Sequence, residues 1–271
     1  MKSPKKKYIL KPTKPTFVEI IRRLKKEPIE FLEFLSLLEN YSERLYESSD
    51  LEFELLLLNG FPLEIKDNFV YLNTTKEPIS SQTFCFVDIE TNGGNPQKGH
   101  QIIELGAVKY RDGKIVDKFD TLVFAKELPP YIQTVTNISL EMLKTAPRVE
   151  KVLKEFKEFL GNDVFVAHDI KFDYNFISQS FEKYSLGKLL NRKLCTIDLA
   201  KRTIASPKYG LSTLKELLDI KVANHHRAYF DALATKEIFE KCLENINQKT
   251  IKTSEDLITF SKSNNIIKLD I

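Results

Sequence analysis

The stretch from Phe84 to Gly94, FCFVDIETNGG, constrains the chain more than any other. Apolar residues fill its first half and then give way to two acids, and side chains alternate along a strand with period two. Phe84, Phe86, Asp88 and Glu90 therefore share one face, and Cys85, Val87 and Ile89 the other. One face is greasy at its start and doubly acidic at its end. Two carboxylates at the end of a buried strand repel each other and are costly to desolvate, so a positive partner is expected between them, most simply a divalent cation. In a chain with 29% charged residues a lone D-x-E is weak grounds for chemistry, and the rest of the chain has to supply more.

The 271 residues allow one large or two modest domains with real cores, and 42% hydrophobic content is that of a globular chain. No apolar run approaches the roughly 20 residues that span a bilayer, and the opening MKSPKKKYILKPTKP lacks the apolar segment of a signal peptide. A cytoplasmic protein without a membrane partner is expected. Cys85, Cys195 and Cys242 lie far apart with no C-x-x-C spacing, which argues against a disulfide framework or a zinc site and for buried thiols. The net charge of +3 hides an asymmetry: residues 1–26 carry ten Lys or Arg against the single acid Glu19. A basic arm on an acidic body suits a nucleic-acid partner, although such runs are more often simply solvated.

Residues 1–16, with Pro4, Pro12 and Pro15, read as a disordered basic arm. From Phe17 the pattern turns helical, Pro28 suits the first turn of a second helix, and Ser49 with Glu52 reads as the capping box of a third. FPLEIKDNFVYL alternates about Lys66-Asp67-Asn68 as a hairpin, so residues 17–72 form a small helical, winged-helix-like domain. Residues 73–82 are expected to be a linker. Beyond them two strands, 101–110 and 114–124, meet at Arg111-Asp112-Gly113. Helices follow at 139–144 and 148–160, a strand at 164–167, a helix at 171–183, a strand at 194–199, and helices at 212–218 and 227–244. This order implies an α/β domain over residues 83–245, with a mixed sheet flanked by helices. Thr253 with Asp256 opens a short helix in the tail, 246–271.

Three of the four histidines, His168, His225 and His226, lie beside acids. In VFVAHDIKFDYNF a strand ends at His168, and Asp173 falls early in the next helix, facing the sheet's C-terminal edge. In NHHRAYFDALAT, His226 and Asp231 are five apart, so they meet only if His226 precedes the helix that contains Asp231. His225 reads as flanking, and His100 as an exposed loop residue near the rim of the site.

These three segments resemble the three motifs of the DnaQ-like, DEDDh family of 3′→5′ exonucleases. Asp88 and Glu90 stand in D-x-E-T, Asp173 follows A-H-x-x-x-F, and His226 to Asp231 give H-x-x-x-x-D with Ala232 completing D-A. IIELGAV, TNISLEMLKTAP and YGLSTLKELL also match, and coverage runs from about residue 83 to 243. The sequence departs from the family at Asp169, where Asn is usual, and at Thr91-Asn92-Gly93 and Thr136-Asn137-Ile138, where Thr-Thr-Gly and Thr-Gly-Ile are common.

The resemblance implies a ribonuclease H-like fold and two Mg²⁺ or Mn²⁺ ions held by Asp88, Glu90, Asp173 and Asp231. It implies that His226 takes the proton of the attacking water, and with an imidazole's reference pKa near 6.5 activity should fall in mild acid. Thr91, Ile89, His168 and Phe172 are implied substrate contacts. The implied substrate is a nucleic-acid 3′ end, single-stranded or frayed. The nearest likeness within the family is to epsilon-type proofreading subunits of bacterial DNA polymerase III, which makes the polymerase alpha subunit and a sliding clamp candidate partners. EDLITF, at Glu255 to Phe260, is a poor clamp-binding peptide because it lacks the usual Gln. Two other readings stand beside this one. A free-standing exonuclease on RNA or short oligonucleotides would share every site residue, whereas a non-catalytic nucleic-acid or protein-binding module would be indifferent to loss of Asp88.

Overall fold

A computed structural model describes residues 14–222, 226–247 and 249–266. Most of the basic arm lies outside the described residues, as do Asn224 and His225. The chain divides into two compact units, Met1–Leu55 with Leu63–Leu72, and Leu56–Pro62 with Asn73–Ile271.

The smaller unit runs α1 (Phe17–Leu24), β1 (Ile29–Glu30), α2 (Phe31–Glu39), α3 (Ser49–Leu58), β2 (Leu63–Lys66) and β3 (Phe69–Leu72), with α3 extending past the boundary. Its strands form an antiparallel sheet ordered β1-β3-β2. Three helices and a hairpin follow in the expected order, with β1 added between the first two helices. Asp67 and Asn68 both take positive φ at the hairpin tip, the conformation that a two-residue turn demands and Asp and Asn tolerate best. Two details differ from expectation. Pro28 does not open α2, because Ile29 and Glu30 pair with Val70 and Phe69 first and the helix starts at Phe31. The cap of α3 comes from Ser48, whose Oγ accepts the Leu51 amide at 3.3 Å, while the Glu52 carboxylate turns back to the amides of Leu45 and Tyr46.

The larger unit is built on a five-stranded mixed sheet, ordered β6-β5-β4-β7-β8. Its strands are β4 (Phe84–Thr91), β5 (Ile102–Arg111), β6 (Lys114–Leu122), β7 (Val164–Ala167) and β8 (Lys193–Cys195). Its helices are α4 (Pro130–Thr136), α5 (Leu140–Lys144), α6 (Val149–Leu160), α7 (Ile170–Lys183), α8 (Thr196–Thr203), α9 (Leu211–Leu217), α10 (Ala228–Glu244) and α11 (Ser254–Ser261). Alternation along β4 sets the two layers. Phe84 and Phe86 face α10, with ring centroids 4.9 and 5.2 Å from Phe239, whereas Cys85, Val87 and Ile89 pack among Phe156, Phe176 and Ile177 of α6 and α7. Each fully buried Phe contributes about 2 to 3 kcal/mol relative to exposure, so the strand that carries the acids is also a firmly held one.

Three further details differ from or add to the sequence reading. The strand foreseen at 194–199 stops at Cys195, and Thr196 begins α8. A helix, α4, occupies Pro130–Thr136 where none was foreseen. Residues 73–82 hold a 3-10 turn at Asn73–Thr75 with Thr74 buried, its Oγ1 donating to Glu255 at 2.8 Å. Glu255 also takes the Arg192 guanidinium through both oxygens, and Leu257, Ile258 and Phe260 are buried. The EDLITF segment thus spends its apolar side on its own unit. Among the described residues no helix is long and apolar enough to cross a membrane.

Candidate active site

The acidic end of β4 is unevenly flanked. β5 pairs with it as far as Thr91, but β7 reaches only Phe84, Cys85 and Phe86, so Asp88 and Glu90 run on beyond their parallel neighbour. Open sheets receive ligands in such a crevice, outside the carboxyl ends of the strands. The Ile89 amide, past the end of the β7 ladder, donates to Asp173 Oδ1 at 3.2 Å. Asp173 lies buried in the first turn of α7. Asp169 caps that helix at φ 64, ψ 60, a left-handed position suited to Asp as to Asn, and Asn137 takes φ 54, where the family's Gly is at ease. At both departures from the family the backbone takes positive φ.

Asp231 arrives from the other layer. The start of α10 rests on Gly106, which is paired with Asp88 across the ladder. A Cβ on Gly106 would lie 2.1 Å from the Tyr229 nitrogen and 2.3 Å from the Ala228 carbonyl carbon. Only a residue without a side chain lets the helix come this close. His226 precedes α10, as its spacing required, at φ 57, and its amide donates to Asp231 Oδ2 at 3.0 Å.

Asp88, Glu90, Asp173, Asp231 and His226 all line one cleft of about 310 Å³, with Ile89, His168 and Phe172 beside them. Phe172 is 40% exposed. Thr91 is buried and does not line the cleft, and the half-buried His100 sits with its ring against Gly93 and its Nδ1 accepting the Asn95 amide at 3.0 Å. Asp169 and, from α9, Leu211 and Ser212 complete the wall, and none of the three was read from sequence as a site residue.

The donor set fits a divalent cation. One ligand atom each from Glu90, His226 and Asp231 lies within 4.8 Å of the others; the carboxylate oxygens suit Mg²⁺ or Mn²⁺, whereas imidazole is a poorer donor to these hard cations and leaves His226 for another role. The electrostatics agree. Burial, then the charges of Asp173, Glu90 and Asp231, pushes the Asp88 carboxyl well above its usual range. Burial, with Asp231 and Glu104 adding to it and Arg227 opposing, pushes Glu90 up to about 8. Asp173 is also pushed up to about 8, chiefly by burial. Protons that the metal-free cleft retains near pH 6 must leave when a cation binds. Mn²⁺ affinity should therefore rise between pH 6 and 8, with protons released on binding, as calorimetry in buffers of different ionisation enthalpy would read. An affinity flat across that range would contradict this picture.

His168 is a brace. Its Nε2–H donates to the Tyr209 carbonyl at 2.9 Å, which leaves Nδ1 to accept the Thr196 hydroxyl at 2.8 Å. Burial pushes its pKa down to about 4, so the ring is neutral and ties the ends of β7 and β8 to the loop before α9.

Glu104 was also missed. It lies opposite Glu90 on β5, 1% exposed, with Oε1 taking Arg227 Nε and a terminal nitrogen at 2.8 and 2.7 Å and Oε2 taking the Ala228 amide at 2.9 Å.

A mixed sheet with helices on both faces, and acids from three elements converging at one edge, is the ribonuclease H-like fold of nucleases. The exonuclease family model RNase_T matches residues 85–239, and the chain belongs to this DnaQ-like exonuclease family. Exonucleases of this family use divalent metal ions. Among curated relatives, the PolC-type DNA polymerase III of Staphylococcus haemolyticus (strain JCSC1435) is 35% identical over 206 residues, 75% of this chain. That of Staphylococcus saprophyticus is 36% identical over 208 residues, 76% of this chain. The match spans only 14% of the length of either relative. Among solved structures, Exonuclease X in complex with 5′ overhanging duplex DNA superposes with a TM-score of 0.51 at 24% identity, over 66% of this chain and 99% of that one. Escherichia coli Exonuclease I with a dT13 oligonucleotide gives 0.55 at 16% identity, over 62% and 42%. At these identities the likeness is one of fold.

Proposed function

We propose that the chain removes nucleoside monophosphates from single-stranded or frayed DNA 3′ ends, proofreading for a polymerase of the DNA polymerase III type. The observation that carries this is the convergence of Asp88, Glu90, Asp173, Asp231 and His226 on one cleft of a size that admits a nucleotide. The four carboxylates would hold two divalent ions, Mg²⁺ or Mn²⁺. Bound there, the ions supply charge neutralisation and polarisation of the scissile phosphate. His226, exposed at the cleft wall, takes the proton of the attacking water, whose oxygen bonds to phosphorus as the bond to the 3′ oxygen breaks. Phe172 offers an exposed ring on which the splayed terminal base stacks. His168 supports the site by bracing it, since both of its ring nitrogens are engaged by protein.

The PolC-type relatives favour proofreading, and a polymerase subunit and a clamp are the corresponding partners, with the cytoplasm as the place of action. Clamp contact through EDLITF is disfavoured by the burial of its apolar residues. The free-standing alternative is favoured by the fold-level match over nearly the whole of Exonuclease X.

A time course with Mg²⁺, Mn²⁺ or EDTA on 5′-labelled DNA and RNA single strands and on a 3′-mismatched duplex tests the reading. A metal-dependent ladder shortening from the 3′ end, strongest on mismatched DNA, is expected. Preference for RNA would transfer the assignment to the free-standing enzyme, and no ladder with either ion would end the nuclease reading.

A further inference from the structure

We infer that Glu104 is a positioning residue for His226, acting through Arg227 and the first amide of α10. The inference rests on reading His226 as the group that takes the water's proton. Glu104 stands among the acids, directly across the ladder from Glu90, and its place invites a role as a fifth cation ligand. Its hydrogen bonds assign it otherwise. Three N–H donors converge on this one carboxylate, with Oε1 held by both Arg227 nitrogens and Oε2 by the Ala228 amide. Both guanidinium N–H groups meet on one oxygen of a carboxylate that is itself out of water, while Arg227 keeps some solvent contact, and the Glu104 charge is spent on these donors.

The residue held next in the chain is His226. It sits at φ 57, a left-handed conformation that a side-chain-bearing residue keeps only when its surroundings hold it there. Two clamps close on it from either side. Its own amide is taken by Asp231 Oδ2 at 3.0 Å, and the following residue is fastened by Glu104. Gly106, two residues along β5 from Glu104, lets the helix start lie against the strand, so the anchor, the helix and the histidine move as one piece. With Glu104 neutral, the fork loosens, His226 is free to leave its left-handed well, and the imidazole swings from the cleft wall while the acids of β4 stay in place.

Glu104→Gln keeps the size and an acceptor for the helix amide but loses the charge. On labelled single-stranded DNA with Mg²⁺, it should lower kcat by roughly 10- to 100-fold while KM stays within about twofold. In a His226→Ala background the same change should alter kcat by less than about twofold, because a residue acting through His226 has nothing left to position. Equal fold-losses in both backgrounds would overturn the inference. If His226→Ala alone leaves kcat intact, the proton-transfer reading fails instead, and the position of the ring is then judged without reference to rate. The chain has four histidines, so their imidazole NMR signals can be assigned by substitution. The His226 signal should move in Glu104→Gln while those of His100 and His168 stay, and an unmoved His226 signal overturns the inference. Arg227→Lys keeps the charge without the fork, and should move the same signal and rate in the same direction by less. It carries the test if Glu104→Gln does not fold.

Discussion

Asp88→Asn should lower metal-dependent hydrolysis by at least about a thousandfold, or about 4 kcal/mol of transition-state stabilisation, and yet make the metal-free protein more stable at alkaline pH. Asp88 lies at the centre of the cluster, where burial and then the charges of Asp173, Glu90 and Asp231 raise its pKa. A carboxyl whose folded pKa is raised lends stability below its unfolded pKa and loses it as pH rises through the folded value. Glu90 and Asp173 follow the same rule, with folded values of about 8. Wild-type melting temperature in EDTA should therefore fall between pH 6 and 9, and the variant, with one acid fewer to ionise, should fall less. Divalent cations should restore the wild type most at the alkaline end. Metal-dependent cleavage retained by a clean Asp88→Asn preparation would defeat the mechanism, and a steeper alkaline loss in the variant would defeat the electrostatic account.

Gly106→Ala is expected to be the most damaging single methyl in the larger unit. The added carbon meets backbone atoms of Ala228 and Tyr229 at 2.1 to 2.4 Å, and backbone cannot turn aside as a flexible side chain can. Overpacking of this kind costs about 3 kcal/mol, or roughly 6 to 12 °C of melting temperature in a unit of this size. The start of α10 must move, and with it Asp231 and His226. A displacement of about 1 Å there costs on the order of a hundredfold in rate. Gly94, where a Cβ meets nothing within 4 Å, is the matched control. Gly106→Ala and Gly94→Ala proteins that melt and cleave alike would remove this explanation of how the helix is seated.

The sequence made β4 legible because its alternation is strict and its acids stand at the end of the strand. The spacing of His226 and Asp231 also sufficed, since five residues can meet only across a helix entry. Other parts misled for physical reasons. Thr196 and Ile197 are β-branched and extend the look of a strand, but the Thr196 side chain is occupied by His168, and Asp198 to Arg202 have the charge order of a helix. α4 hides in YIQTVT, whose composition favours strands, although Pro130 at its first turn was a usable signal. Asn137 and Asp169 were legible only as departures from the family, and the structure shows that both occupy left-handed positions, which Asn and Asp tolerate. Glu104 was out of reach: within IIELGAV nothing shows that its partner lies at Arg227, on an element brought alongside only by the finished sheet.

The assembly of the cleft also has a schedule. β4 supplies Asp88 and Glu90 early and α7 supplies Asp173 later, but His226 and Asp231 come with α10, the last long helix of the unit. A chain leaving the ribosome N-terminus first carries most of the acids well before it carries the rest. Through that interval the cleft has one wall missing and the histidine absent. An unfinished chain therefore lacks the His226 and Asp231 side of the cleft until α10 has been made.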